Sequence, residues 1–299
     1  MGSHNSLAMP RLSILIPWGK GGAKGSLPVA LLAAAPIVLP VAYMVYVLRQ
    51  SAQRTTASAT ITPPDPLVGK PLKTKENSEA GEVDGGSDTL AILPAVLAAP
   101  DNYVISRERI VSEAIPLDEI LVISLQDKEG GIGTKGRRRG LLETYLATTM
   151  RMFTWTPQAF VMKSMVSRLS DGAAHAKTFS SAYLDACTFE AGDRVCGVYR
   201  VRERVRDPRG MRIVLDLSPP EGWKGPVVSG VLDCGFFVEK KGDESFVRFV
   251  NETVLWRRKD EKPTLLEGTV SRWLHTLMVG WMMVRGVEAV TGKNKAMTA

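Results

Sequence analysis

The stretch Phe246 to Val290, FVRFVNETVLWRRKDEKPTLLEGTVSRWLHTLMVGWMMVRGVEAV, limits the possible folds more than any other part of the chain. Its opening, Phe246 to Arg257, is rich in Val, Phe, Thr and Trp, side chains that suit a pleated surface. Apolar residues fall on both faces, so this strand is expected to be covered on both sides. Lys259 to Pro263 is charged and ends in proline, which stops the strand. Thr264, with Glu267 three residues on, fits a capping box. Beyond it Trp273, Leu277, Trp281 and Val284 recur at helical spacing, as do Leu274, Met278 and Met282. A helix with so wide an apolar face, arriving just after a buried strand, is expected to lie against a sheet.

Upstream residues supply that sheet. Tyr103 to Ile120 holds short strands broken by Pro116, and Glu119 to Leu125 reads as a strand. Gln126 to Gly140 is a glycine-rich, basic loop. Leu141 to Leu169 is helical but interrupted at Trp155-Thr156-Pro157. Thr156 as a cap and Pro157 at the first helical position start a second helix, giving helices near 141–154 and 157–169. Lys177 to Phe189, Arg194 to Arg206, Met211 to Leu217, Val227 to Val238 and Phe246 to Arg257 read as strands. In Arg194 to Arg206, Val195, Tyr199, Val201 and Val205 point one way and Arg200, Arg202 and Arg204 the other. The order is strand, helices, antiparallel strands, long helix. It fits an α+β helix-grip domain (START/SRPBCC-like), where an antiparallel sheet wraps a long C-terminal helix and leaves an apolar cavity. The cone-shaped SnoaL-type fold and the hotdog fold are the nearest alternatives.

The front of the chain is different. Leu27 to Leu48 carries no charge and is long enough to cross a bilayer, though Pro28, Pro36 and Pro40 weaken a straight helix. The expected organisation is an N-terminal tail (1–26), a transmembrane helix (27–48), a flexible linker (49–100) and the helix-grip-like domain (101–299). Arg11, Lys20 and Lys24 on one side and Arg49 and Arg54 on the other leave the orientation open; an endomembrane location is expected. Gln50 to Asp88 has almost no large apolar residues, and Thr89 to Ala99 is a short apolar docking candidate. The basic run Lys135 to Arg139 has no aromatic or zinc signature beside it, so no nucleic-acid partner is expected. Cys187, Cys196 and Cys234 lie in apolar sequence with no paired spacing and read as buried thiols. With only His4, His175 and His275 available, no multi-histidine metal site is expected, and no cofactor-binding fingerprint is present.

Four runs carry a resemblance: TMRMFTWTPQAF (149–160), FEAGDRVCGVYRVRERV (189–205), FVNETVLWRR (249–258) and EKPTLLEGTVSRWLH (261–275). Together they resemble a family of fungal biosynthetic-cluster proteins whose best-known type is the polyketide cyclase of aurovertin-like pyrone pathways. The resemblance covers roughly Tyr103 to Gly292 and leaves out the apolar front and the linker. It implies work beside a polyketide synthase, closing a ring on a reactive lipophilic chain. It transfers no catalytic residues.

Pyrone closure needs a base for an enol proton and donors for a developing oxyanion. His275, on the closing helix, is the base candidate, or else a structural histidine or an exposed one on the polar side. Asn251 and Glu252 sit mid-strand in apolar surroundings and must find partners or face a cavity. Glu252 is either a second base or the partner of Arg200 or Arg202. Arg202 is a further catalytic candidate. Arg200, Tyr199, Trp155, Gln158, Trp256 and Trp273 are candidate ligand contacts, with plain packing or a solvated face as the alternative. Asn251-Glu252-Thr253 is also a glycosylation sequon, but a buried strand is a poor acceptor. The expectation is a membrane-anchored, cofactor-free cyclase. Ligand carriage without chemistry and acyl-releasing hydrolysis are the rivals.

Overall fold

The computed structural model describes residues 42–62, 96, 100–121 and 139–292. The chain divides into two units, Met1–Val45 and Tyr46–Ala299, and the second carries the sheet. Its elements begin with helix α1 (residues 46–54), β1 (Thr55–Thr62), β2 (Tyr103–Ser112) and β3 (Ile115–Pro116). Four helices follow: α2 (Leu141–Phe153), α3 (Pro157–Val166), α4 (Gly172–Lys177) and α5 (Ser181–Ala186). Then come β4 (Arg194–Val195), β5 (Tyr199–Asp207), β6 (Gly210–Leu217), β7 (Ser229–Lys241), β8 (Glu244–Arg258) and the long helix α6 (Thr269–Thr291). The fold is α+β, with one eight-stranded antiparallel sheet in the order β1-β2-β8-β7-β6-β5-β4 and β3 paired to β8.

The last strand is therefore central, as its apolar character on both faces requires. Asn251 to Leu255 are buried at every position. Phe249, Asn251, Thr253 and Leu255 face the helices, while Val254 packs on the opposite face with Val214, Val231 and Val96. Val96 is the one described residue of the apolar segment Thr89 to Ala99, and it is docked there.

Local chemistry explains most departures from the expected elements. The strand expected over Lys177 to Phe189 is instead α4 and α5. Ser180 Oγ accepts from the Tyr183 N–H at 3.2 Å and starts α5, and only at Cys187 does the backbone extend again. Residues assigned to the linker form β1, paired from Thr55 opposite Ser112 to Thr62 opposite Ile105. This strand, TTASATIT, is β-branched but short of large apolar residues, so composition alone hid it. The capping box at Thr264 half-forms. Glu267 accepts from the Thr264 N–H at 2.6 Å, but the carboxylate is also held by Arg257 at 2.7 Å, and α6 starts later, behind Gly268. The α3 cap forms as expected, with Thr156 Oγ1 accepting from the Ala159 N–H at 3.2 Å.

The strand expected at Glu119 to Leu125 opens as a single turn of 3-10 helix, Leu117–Glu119, and residues 122–125 lie outside the described residues. So does the span 27–48 up to residue 41; residues 42–48 are helical. Among the described residues, no helix is long and apolar enough to cross a membrane.

The second half of α6 is anchored on α2. Tyr145 is fully buried and stacks on Phe249 with ring centroids 4.3 Å apart, and Phe236 tilts against Phe249 at 6.1 Å. Gly286 permits this approach. A Cβ there would meet Thr149 Oγ1 and the Tyr145 ring at 2.7 Å. Met283, Val287 and Val290 complete a solid core at this end.

Candidate functional site

The first half of α6 leaves space instead. A cavity of about 520 Å³ lies between it, the inner face of the sheet, α2 and α3. That size falls within the range of small-molecule sites. Met278, Val279 and Met282 form its roof, Leu232 and Leu255 its floor, and Met162 and Met165 of α3 one wall. Thr156 matters here because the helix it caps carries that wall. Phe160 and Trp155 stand beside the wall largely exposed, at 74% and 78%.

His275 lines the cavity. Its Nδ1 lies 2.5 Å from Glu108 Oε2, while Thr276 Oγ1 donates to Glu108 Oε1. Glu108 is 2% exposed on β2, beside Thr253 in the register. A carboxylate on Nδ1 selects the tautomer with its proton there and leaves Nε2 as the nitrogen that can serve the cavity. Glu108 was missed in the sequence reading. The available signal was its position in YVISRERIVS, on the face shared with Ser106, Ile110 and Ser112 rather than with the arginines.

Asn251 also lines the cavity. Its Oδ1 accepts from the Tyr145 hydroxyl at 3.0 Å, so the Nδ2 end is the one left for a ligand. The two groups settle one another, because a buried tyrosine must donate somewhere. Tyr199, Gln158, Thr253 and Cys234 add the remaining polar atoms of note. Burial pushes the Tyr199 and Tyr145 hydroxyls and the Cys234 thiol well above their ordinary values, so all three are neutral donors.

Four of the expected site residues thus meet at one cavity: His275, Asn251, Tyr199 and Gln158. The others do not. Glu252 turns to the opposite face of the sheet and pairs with Arg107 at 2.5 Å, not with Arg200 or Arg202. A one-residue shift along β8 separates it from Asn251, and alternation does the rest. Arg202 pairs with Asp216 and Arg200 is exposed. The arginines do not form one row, because a bulge between Val201 and Glu203 turns Arg204 toward the helices. There it pairs with the buried Glu143 of α2 at 3.0 Å. Trp155 is exposed, Trp256 packs with the Val96 cluster, and Trp273 is half exposed at the start of α6.

Among the described residues, no three His, Cys, Asp or Glu side chains gather where a metal ion could be held. No protein-family model, curated protein or solved structure matches the chain.

Proposed function

We propose that the second unit is a helix-grip domain that binds a lipophilic small molecule and closes a ring on it, as a cofactor-free cyclase of polyketide type. The observation that carries this reading is an imidazole on the wall of an apolar cavity, held at Nδ1 by a buried carboxylate. Strand order supports the fold assignment. The strand before the helices lies beside the strand that precedes α6, and the others follow in descending order.

In the proposed step, His275 Nε2 removes an enol proton. The enol oxygen attacks the ester or thioester carbonyl carbon of the same chain, forming the ring C–O bond. The carbonyl oxygen gains charge near Asn251 Nδ2, and the C–O or C–S bond to the carrier breaks. His275 returns the proton to the departing group. The apolar walls fold the chain and keep out water, which would otherwise give the free acid.

The test is co-expression with a polyketide synthase and analysis of the products. His275→Ala and Glu108→Gln should each lower the ring product at least tenfold, while Glu252→Gln, on the far face, should leave it unchanged. Undiminished ring product with His275→Ala would end the cyclase reading, and free acid in place of ring from the unaltered protein would favour hydrolysis. Carriage without chemistry is favoured by the mostly apolar lining, and it predicts bound ligand with no dependence of product on His275.

A further inference from the structure

The charge of the lining has a consequence for the ligand. Among the described residues that line the cavity there is no Lys, Arg, Asp or Glu. His275 is the sole ionisable base there, and Glu108 stands directly behind it. With imidazole the pair is negative, and with imidazolium it is neutral; in neither state does it offer net positive charge. A carboxylate or phosphate entering this space would lose its water and gain no counter-ion. What the cavity does offer is hydrogen-bond donors: the Asn251 amide, the Tyr199 hydroxyl and the Thr253 hydroxyl.

We infer that the cavity selects uncharged ligands bearing a carbonyl oxygen, such as a ketone or an ester, and that Tyr145 is the residue that positions Asn251 to receive it. Tyr145 does not itself line the cavity. It is fully buried, clamped between the Phe249 ring and Gly286, with its hydroxyl 3.0 Å from Asn251 Oδ1. By donating to that oxygen it prevents the amide from flipping, so the cavity meets an N–H rather than a second acceptor. The selectivity therefore has two parts: the absence of a counter-ion rejects anions, and the oriented amide prefers a carbonyl over plain hydrocarbon.

This inference rests on the cavity being a lipophilic-ligand site, and the experiment separates the two. The full chain is titrated at pH 8 with three probes of equal chain length, 2-undecanone, undecane and undecanoic acid, and quenching of tryptophan fluorescence is followed, since Trp223 lines the cavity. The ketone should bind roughly tenfold or more tighter than the carboxylate. Tyr145→Phe keeps the ring stack, and it should weaken the ketone about three- to tenfold while leaving undecane unchanged. A purely structural role for Tyr145 would shift both probes alike, and that result overturns the positioning role. Asn251→Val, a second variant, should abolish the preference for ketone over alkane. The comparison of acid with ketone needs no variant at all. Equal or tighter binding of the acid overturns this inference and leaves the cavity reading standing, whereas failure of all three probes to bind overturns both.

Discussion

Replacing His275 by alanine should destabilise the fold more than replacing its partner Glu108 by glutamine. The Glu108 side chain is 1% exposed, and its two oxygens serve His275 Nδ1 and Thr276 Oγ1. His275→Ala leaves a buried carboxylate with one hydroxyl for company. Leaving a buried carboxylate without its main partner costs about 3–5 kcal/mol. His275 is 12% exposed and cavity water can reach the space it vacates, which points to the lower end, about 3 kcal/mol. Glu108→Gln keeps an amide oxygen for one partner and removes the charge, at a cost of about 1–2 kcal/mol. The double variant should fall short of the sum by about 1 kcal/mol or more, because the charge that His275→Ala strands is then gone. For a folded unit of this size each kcal/mol lowers Tm by about 2–4 °C, so His275→Ala should melt roughly 6–12 °C below the parent. Urea unfolding at pH 7, followed by tryptophan fluorescence, measures all three variants. The reasoning fails if His275→Ala unfolds within about 1 kcal/mol of the parent, or if the two changes simply add.

Asp233, on the face of the sheet away from the cavity, gives a prediction about pH. Burial pushes its carboxyl up to about 6, with Arg212 at 3.5 Å opposing and Glu252 adding to the rise. The folded state therefore holds this proton more tightly than the unfolded chain, whose group titrates at its ordinary 3.8. The stability it contributes is fully present below about pH 4 and is lost as pH rises through about 6, an effect on the order of 3 kcal/mol. Asp233→Asn should flatten the change in urea midpoint across that window. Thr156→Ala removes the α3 cap and should cost about 1 kcal/mol, seen first as faster amide exchange at Ala159. Gly286→Ala presses a methyl group onto Tyr145 and Thr149 and should cost about 1–3 kcal/mol. Met278→Trp, at the open end of the same helix, should block the ligand probes while costing less.

The parts of the fold that could be read from the sequence were those written in a single period over a long run. The run of β8 that is apolar on both faces, the helical spacing in α6 and the Thr156-Pro157 start of α3 each depend on neighbours a few residues away. What escaped was written otherwise. β1 is an edge strand of small and β-branched residues, and its partner lies in β2, across nearly all the residues assigned to the linker. The bulge after Val201 is one extra residue, and it reverses the face of Arg204 without leaving a mark in composition. The same division holds in the site. His275 and Asn251 were found because polar residues stood out in apolar elements. Glu108 was not, because a carboxylate between two arginines reads as a surface residue until the face it occupies is known to be covered. Alternation puts Glu108 on the face of Ile110, but only pairing with β8 shows that this face is shared with Thr253 and covered by the helices.

The two halves of α6 explain why a cavity exists where it does. Toward its end the helix presents Met283, Gly286, Val287 and Val290 to the aromatic rings of Tyr145 and Phe249, and that contact fills space completely. One turn and more toward its start, the facing positions on β8 change from Phe249 to Asn251 and Thr253. The helix offers His275, Met278 and Met282 in return. Small polar side chains opposite flexible thioethers cannot close a gap of this size, and their polar atoms would be costly there without partners. Tyr145 and Glu108 supply those partners from outside the cavity, one for Asn251 and one for His275. The packed half of the helix thus fixes the backbone from which the open half hangs. The polar groups facing the open half are held in single orientations by residues that do not line the cavity. That is the arrangement the proposed ring closure calls for, a fixed base and a fixed donor facing a flexible, oily molecule.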